Sequence, residues 1–179
     1  MPHLLTSRWT TVAVVGLFVI SLWGPPFVVG DLVLRPEVVT VLLGLVVVGL
    51  TVRRVRAGGD GAVGRRVRAA LAVLAVVLVV GARAVLGLGT SYVVLAPEGP
   101  SGCRVVVEES SFLMLGSGRV GVAGRLGPVR LQSDYTADDG GRPASLGEYS
   151  VRWTGPSAVV LLHGNAGQPV WPALHEVAC

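Results

Sequence analysis

The sequence predicts a membrane region of three transmembrane α-helices followed by a small all-β extracytoplasmic domain, built as a sandwich or a barrel. Its 179 residues are 51% hydrophobic with a mean hydropathy of +0.67, more apolar than an average soluble domain. Uncharged apolar runs fill the first half, and short β-branched segments between Gly, Pro and Asp clusters fill the second. We therefore expect a membrane region over residues 1–89 and a β domain over residues 90–179.

The first predicted span lies near residues 9–29. It carries no charge over about 21 residues, which as a helix would cover roughly 30 Å of hydrocarbon. Trp9 and Trp23 suit the two interfacial belts. A cleavable signal peptide is the alternative, since Arg8 precedes the apolar core, yet no small-x-small cleavage site follows before Pro25 and Pro26. We expect the span to be retained.

The second predicted span covers residues 36–56. Pro36 suits a first helical turn, where its missing N–H costs nothing. Glu37 at the positive end and Arg53, Arg54 and Arg56 at the negative end complement the helix dipole. The arginines can extend their charged heads to the membrane surface, which lengthens the span.

The third predicted span covers residues 69–88 and is interrupted by Arg83. We expect Arg83 to reach the outer headgroups; a buried pairing with Asp31 or Glu37 is the alternative. Ala75, Ala82 and Gly89 recur every seven residues, which favours close packing, either within the three helices or in a dimer.

Arginines between the second and third spans predict the topology. Six of them, with Asp60 as the one acid among them, flank this loop: Arg53, Arg54, Arg56, Arg65, Arg66 and Arg68. Short arginine-rich loops stay cytoplasmic, so we expect a multi-pass protein of the bacterial cell membrane with a cytoplasmic amino terminus. The link over residues 30–35 and the β domain would then lie outside.

Charge distribution indicates the lipid bilayer, and not a nucleic acid, as the partner of the basic residues. Residues 1–89 carry nine Arg against three acids (+6), whereas residues 90–179 carry six against eight (−2). The positive excess is thus next to the membrane, where it favours anionic headgroups. With no Lys and abundant Ala, Val, Gly and Leu, the chain resembles the small uncharacterised integral membrane proteins of actinobacteria, a likeness that implies no particular function.

Seven short strands are predicted in the β domain. Tyr149, Val151 and Trp153 alternate with polar residues, and the turn 154–157 leads into the next strand, which predicts a hairpin. The predicted strands lie near 92–96, 104–108, 112–115, 119–123, 129–133, 149–153 and 158–163.

Cys103 and Cys179 are the two cysteines of the chain, and both fall in the part predicted to face an oxidising compartment. We expect a disulfide between them. Closing a loop of about 75 residues would stabilise the domain by roughly 4 to 4.5 kcal/mol in the chain-entropy model. Two free thiols, or an intermolecular bridge from Cys179, remain the alternatives.

Four segments imitate functional motifs. Residues 159–167 (VVLLHGNAG) are similar to the oxyanion-hole strand of α/β-hydrolases, but no G-x-S-x-G elbow follows, so we interpret His163 as a strand-end residue. Residues 116–121 (GSGRVG) match a dinucleotide pattern but are predicted to form a hairpin turn. Residues 175–179 (HEVAC) offer two zinc ligands, too few for a site. Asp134, Asp138, Asp139 and Gly140 depart from the EF-hand spacing and predict a solvated turn.

These observations predict no catalytic, cofactor or metal site, and we expect no enzyme activity. The leading hypothesis is a non-catalytic, membrane-anchored extracytoplasmic module that binds a protein or envelope partner. An oligomeric small-solute channel or transporter component is the alternative, disfavoured because the spans hold few polar residues. An envelope enzyme using Asp138, Asp139 or His163 would need a concave site.

Overall fold

A computed structural model describes residues 8–57, 63–165 and 167–179, and these residues form two compact units. The helical unit comprises Met1–Gly24 and Pro36–Gly87, and the β unit comprises Pro25–Arg35 and Leu88–Cys179. Residues 25–35 therefore belong to the β unit, although they lie between two helices in the sequence.

Three helices form the first unit: α1 (Arg8–Ser21), α2 (Pro36–Ala57) and α3 (Val63–Gly87). The apolar segments Pro36–Val55 of α2 and Ala69–Gly87 of α3 are long enough to cross a membrane. None of the α3 segment and little of the α2 segment is buried. The third helix is shorter, since α1 has 14 residues and a length of about 21 Å.

The predicted first span over residues 9–29 is wrong at its carboxyl end. Helix α1 ends at Ser21, and Phe27–Val29 form a strand of the β unit. The physical reason is the sequence Gly24-Pro25-Pro26, because proline lacks the N–H that a helix needs and disfavours helical conformation in the residue before it.

Gly44 is a point of close approach between the helices of the helical unit. A Cβ atom added there would lie 2.6 Å from Val80 Cγ2 of α3 and 3.4 Å from Phe18 Cε2 of α1. Thr40, fully buried, shares a hydrogen bond of 3.2 Å with the Ser21 hydroxyl. A glycine of α2 therefore allows the close packing that was predicted for the small residues of α3.

The ends of α2 and α3 also meet, because a Cβ atom at Gly87 would lie 2.6 Å from Glu37 Cγ. Asp31, one of the two alternative partners of Arg83, belongs to the β unit and pairs there with Arg104. Within the described part of the chain, the buried Nε of Arg83 has no hydrogen-bond partner.

Eleven strands of the described residues build three antiparallel sheets. The strands are β1 (Phe27–Val29), β2 (Leu32–Leu34), β3 (Thr90–Leu95), β4 (Arg104–Phe112), β5 (Leu115–Ala123), β6 (Leu126–Pro128), β7 (Arg130–Ala137), β8 (Tyr149–Thr154), β9 (Ser157–Leu162), β10 (Val170–Trp171) and β11 (Leu174–Ala178). The central sheet has the order β10-β7-β5-β4-β3, and the two smaller sheets have the orders β2-β1-β6 and β11-β9-β8.

Hydrophobic clusters lie on both faces of the central sheet. Successive side chains of a strand point to opposite faces, so Val105 and Val107 of β4 join the larger cluster with Val160 of β9. Val106 joins the smaller cluster with Val28 of β1. The central sheet is thus covered by β8, β9 and β11 on one face and partly by β1, β2 and β6 on the other.

Two local predictions in the β unit are wrong. The segment 112–115 is the end of one strand, a turn and the start of the next, because Phe112 closes β4 and Leu115 opens β5. The segment 116–121 is part of strand β5 and not a turn. Its Gly118 makes room for a ring, since a Cβ atom there would lie 2.3 Å from Tyr135 Cζ.

Candidate functional site

Cys103 and Cys179 form a disulfide, with Cα atoms 6.3 Å apart. Cys103 immediately precedes β4 of the central sheet, and Cys179 immediately follows β11 of the facing sheet. The bond therefore joins the two layers that enclose the larger hydrophobic cluster, to which buried Cys103 itself belongs.

The arginines predicted to set the topology are described only in part. Arg53 and Arg54 lie near the end of α2 and are exposed to solvent. The side chains of Arg56, Arg65, Arg66 and Arg68, and the loop residues 58–62, lie outside the described residues.

An open cleft of about 400 Å³ lies along strand β3 of the β unit. Residues 92–96 form one wall, and three charged side chains, Asp31, Glu98 and Arg104, line the remainder. β3 is an edge strand of the central sheet, which leaves one of its sides accessible to the cleft. The cleft is the candidate ligand site of this domain.

The guanidinium of Arg104 organises the charges of the cleft. Its Nη1 donates to the Gly30 carbonyl oxygen and, at 2.5 Å, to Asp31 Oδ1, while Nη2 donates to Glu98 Oε2 at 3.1 Å. Arg125 Nε donates to the other Glu98 oxygen at 3.0 Å. This network fixes the β1–β2 turn to the loop before β4 and to the β5–β6 turn.

These ion pairs shift two pKa values in the cleft. Hydrogen bonding from Arg125, helped by Arg104, lowers the pKa of Glu98 below its ordinary value despite some desolvation. Desolvation alone would lower the pKa of Arg104, but its bonds to Asp31 and Glu98 outweigh that effect and raise it. Both groups are therefore charged at neutral pH. Arg104 is held in place as a fixed cation, with Asp31 almost fully exposed beside it.

A second polar cluster is sealed in the core around Glu109. Its fully buried carboxylate accepts hydrogen bonds from Tyr135 Oη at 2.7 Å, from the backbone N–H groups of Ala144 and Ser145, both at 2.8 Å, and from the Ser145 hydroxyl. Burial and the Glu109 charge raise the pKa of Tyr135 above its ordinary range. The hydrogen bonds of Glu109 attach the loop 142–147 to the sheet. Because its carboxylate is fully buried, a ligand in solvent cannot contact it.

His175, the first residue of the zinc-like pattern, adjoins this cluster, with its ring 5.6 Å from that of Tyr135. Strand β11 alternates burial, so His175 points inward while Glu176 is exposed, and Cys179 is in the disulfide. His175 Nδ1 lies 2.7 Å from Ser133 Oγ, and burial lowers the pKa of the ring. Within residues 8–57, 63–165 and 167–179, no three His, Cys, Asp or Glu side chains are grouped to hold a metal ion.

The remaining motif residues lie at a strand end and in turns. His163 is exposed just after β9, and its backbone N–H donates to the Glu148 carbonyl oxygen at 2.8 Å. Asn165 Oδ1 accepts hydrogen bonds from the N–H groups of Gly167 and Gln168, which makes the segment after β9 a tight turn. Asp138 and Asp139 lie in a 3-10 turn after β7 and are exposed.

Sequence reasoning missed both Arg104 and Glu109. A period-two reading of β4 contains a signal for Glu109, because Val105, Val107 and Glu109 share one face and two of them are apolar. No such signal exists for Arg104, whose partner Asp31 is 73 residues distant in the sequence.

Comparison with known proteins adds no relative: no family model, curated protein or solved structure matches this chain.

Proposed function

We propose that this chain is a non-catalytic binding or accessory module of the bacterial cell membrane. Its helices anchor a disulfide-stapled β-sandwich at the outer face, and the cleft along β3 is the ligand site. The two clusters on opposite faces of the central sheet support the sandwich description. The observation that carries the topology is the pairing of β1 with β6.

Strand β1 precedes α2 in the sequence, and β6 follows α3, yet Val28 of β1 pairs with Gly127 of β6 in an antiparallel ladder. Paired strands must lie on the same side of a membrane, since backbone hydrogen bonds cannot form across it. As membrane spans, α2 and α3 would therefore cross as a pair, one in each direction, with the loop between them on the opposite side. An even number of crossings between β1 and β6 follows from strand pairing alone, without the charge rule.

The exposed surface of α2 and α3 supports a lipid environment. Core helices of soluble proteins bury their apolar segments, whereas none of the Ala69–Gly87 segment is buried. Leu71, Leu74 and Leu78 are all more than half exposed. Water would disfavour such a surface, and hydrocarbon would solvate it.

Two features assign the sides. The loop between α2 and α3 is arginine-rich and so belongs in the cytoplasm, and the disulfide belongs in an oxidising compartment outside it. With α2 and α3 crossing as a pair, α1 would make a third crossing from a cytoplasmic amino terminus.

The lining of the cleft indicates the class of ligand. It consists of residues 92–96 and of the charged side chains of Asp31, Glu98 and Arg104. The exposed Asp31 carboxylate suits a ligand that carries an amine or guanidinium group.

Reporter fusions test the topology. A reporter active only in the cytoplasm and another active only outside are each fused after Gly59 and after Cys179. We expect the cytoplasmic reporter to be active after Gly59 and the external reporter after Cys179. Identical behaviour at the two sites would contradict the proposal.

Site-specific photocrosslinking in intact cells tests the cleft. A photoreactive phenylalanine at Tyr92 should capture a discrete partner, and Asp31→Asn should reduce the capture several-fold. The same amino acid at exposed Leu174, on β11, is the matched control. Equal capture from both positions, or capture unaffected by Asp31→Asn, would contradict ligand binding in the cleft.

A further inference from the structure

The hairpin between β4 and β5 ends in four consecutive large apolar residues, Phe112, Leu113, Met114 and Leu115, here termed the apolar tip. Their side chains are 76%, 84%, 70% and 75% exposed. Turns in water-soluble domains are built from polar residues and glycine, and isolated exposed apolar residues are common, but a run of four at one hairpin end is not.

The apolar side chains do not hold the hairpin together. Backbone contacts do this, since the Gly140 N–H donates to the Met114 carbonyl oxygen at 2.8 Å and Gly116 lies too close to the Gly141 backbone for a side chain. Leu113 even adopts a φ of +56°, a conformation that asparagine or glycine would adopt at lower cost. The choice of apolar residues at this turn therefore calls for an explanation outside the domain.

The position of the tip supplies that explanation. The Ser111 N–H, one residue before the tip, donates to the Gly89 carbonyl oxygen at 3.1 Å, and Gly89 is the second residue after the end of α3. Leu88 is 83% exposed. Arg142 Nη2 also donates to the Gly89 carbonyl oxygen, at 2.7 Å, and so holds the loop that carries exposed Leu146 near the same point.

We propose that the apolar tip inserts into the outer leaflet of the membrane at the boundary between headgroups and acyl chains, so that lipid is its ligand. The inference rests on the proposed function in one respect, namely that α3 crosses the membrane. A chain leaving the bilayer at Gly87 reaches Gly89 within two residues, so the tip paired to Gly89 starts at the interface. Apolar side chains at that depth are removed from water, and this burial stabilises the inserted state.

The opposite end of the β unit provides a contrast within the same domain. The β8–β9 turn consists of Thr154, Gly155, Pro156 and Ser157, without a large apolar residue. It lies at the other end of β3, because Trp153 Nε1 donates to the Pro97 carbonyl oxygen at 2.9 Å. The hairpin beside the α3 junction thus ends in large apolar residues, and the β8–β9 turn does not.

Depth-dependent fluorescence quenching on the full chain tests the proposal. A dansyl-bearing amino acid is incorporated at Met114, at Thr154 as a control and at Leu78 of α3 as a reference for the membrane interior. Each protein is placed in lipid discs that hold a single chain, so that no second copy can cover the tip. The discs contain either ordinary lipids or lipids brominated on the upper acyl chain, and iodide serves as the aqueous quencher.

We expect brominated lipid to quench the Met114 probe and iodide to quench it several-fold less than the Thr154 probe. Replacing the other tip residues with Phe112→Thr, Leu113→Asn and Leu115→Thr should restore iodide quenching at position 114 without loss of the disulfide. A Met114 probe as accessible to iodide as the Thr154 probe would overturn the proposal. Shielding from iodide without quenching by brominated lipid would also overturn it, since protein would then cover the tip.

The Leu78 probe separates a failure of the proposed membrane anchor from a failure of the proposed lipid insertion of the tip. If brominated lipid quenches the Leu78 probe but not the Met114 probe, the membrane anchor stands and the lipid-inserting tip is wrong. If brominated lipid quenches neither probe, the proposed function itself is contradicted, and the inference about the tip falls with it.

Discussion

The helical unit and the β unit are made from the same apolar residue types but place them in opposite ways. Leu71, Leu74 and Leu78 of α3 point outward, whereas Val105 and Val107 of β4 are fully buried. The two units thus differ in where they expose apolar surface. An outward apolar surface is stable in hydrocarbon, and an inward one is stable in water, so this contrast is the one that the proposed membrane anchor requires.

The two units also differ in what holds them together. The helices approach through a glycine, Gly44, and share the Thr40–Ser21 hydrogen bond. The β unit uses a covalent bond between its layers and a buried carboxylate, Glu109, with four hydrogen-bond donors. Changes to the contacts of one unit should therefore leave the stability of the other unit unchanged.

Removal of the disulfide should have the largest effect. The double variant Cys103→Ala/Cys179→Ala should lower the free energy of unfolding of the β unit by about 4 kcal/mol, because the unfolded chain regains the freedom of a long loop. Denaturation followed by near-ultraviolet circular dichroism measures this. Reduction of the unmodified protein should give a similar loss, and helical signal lost in parallel would show that the units are not separable.

Glu109→Gln should destabilise the β unit by about 3 kcal/mol, because the amide would place donor N–H groups against the donors of Tyr135 and Ser145. Glu176→Gln is the matched control, since Glu176 is exposed on β11 and its replacement should change stability by less than about 0.5 kcal/mol. Equal effects of the two variants would contradict the structural role of Glu109.

Gly44→Ala should destabilise the helical unit by about 2 kcal/mol, since the added methyl group overlaps Val80. Gly49→Ala in the same helix meets no atom within 4 Å and should be neutral or slightly stabilising. Loss of helicity during titration with a denaturing detergent measures both. The near-ultraviolet signal of the β unit should not change in either variant, and a change would argue against separation.

The smallest expected effect is a pH dependence confined to the β unit. Burial lowers the pKa of His175, although the charge of Asp134 opposes the shift. As the pH falls below about 6.5, the unfolded chain binds the proton before the folded one does, so stability decreases until the pH passes the folded pKa. The melting temperature of the β unit should therefore be lower at pH 5 than at pH 7.5.

His175→Gln should weaken this pH dependence, whereas His163→Gln, which replaces an exposed histidine, should not alter it. A melting temperature that is as pH-dependent in His175→Gln as in the unmodified protein would assign the effect to another group.

Local sequence patterns made part of this architecture predictable. Uncharged runs indicated α2 and α3, and the alternation of Tyr149, Val151 and Trp153 indicated the β8–β9 hairpin that the structure contains. Two cysteines in the half of the chain that was predicted to face an oxidising compartment indicated the disulfide. These signals are local, or depend on a count of residues, and so are visible in a single sequence.

Features that depend on distant contacts were not predictable. Residues 27–34 appeared to be the end of a span and a link, because the identity of β1 as a strand depends on its partner β6 about 100 residues later. The tip residues 112–115 have strand-like composition, so only the pairing of Phe112 with Leu115 shows a turn. The charged cleft likewise exists only once Asp31 and Arg104 are brought together by the fold.

Because β1 and β2 are inserted between two helices, the β unit cannot be assembled in the order of synthesis. Val28 can pair with Val33 of β2 at once, but its partner Gly127 of β6 and the neighbouring Val106 follow only after both helices have been made. On the proposed topology, this short hairpin would wait at the outer surface while its partner strand is translocated. The time for which residues 27–34 lack their later partners would then set the risk of misassembly.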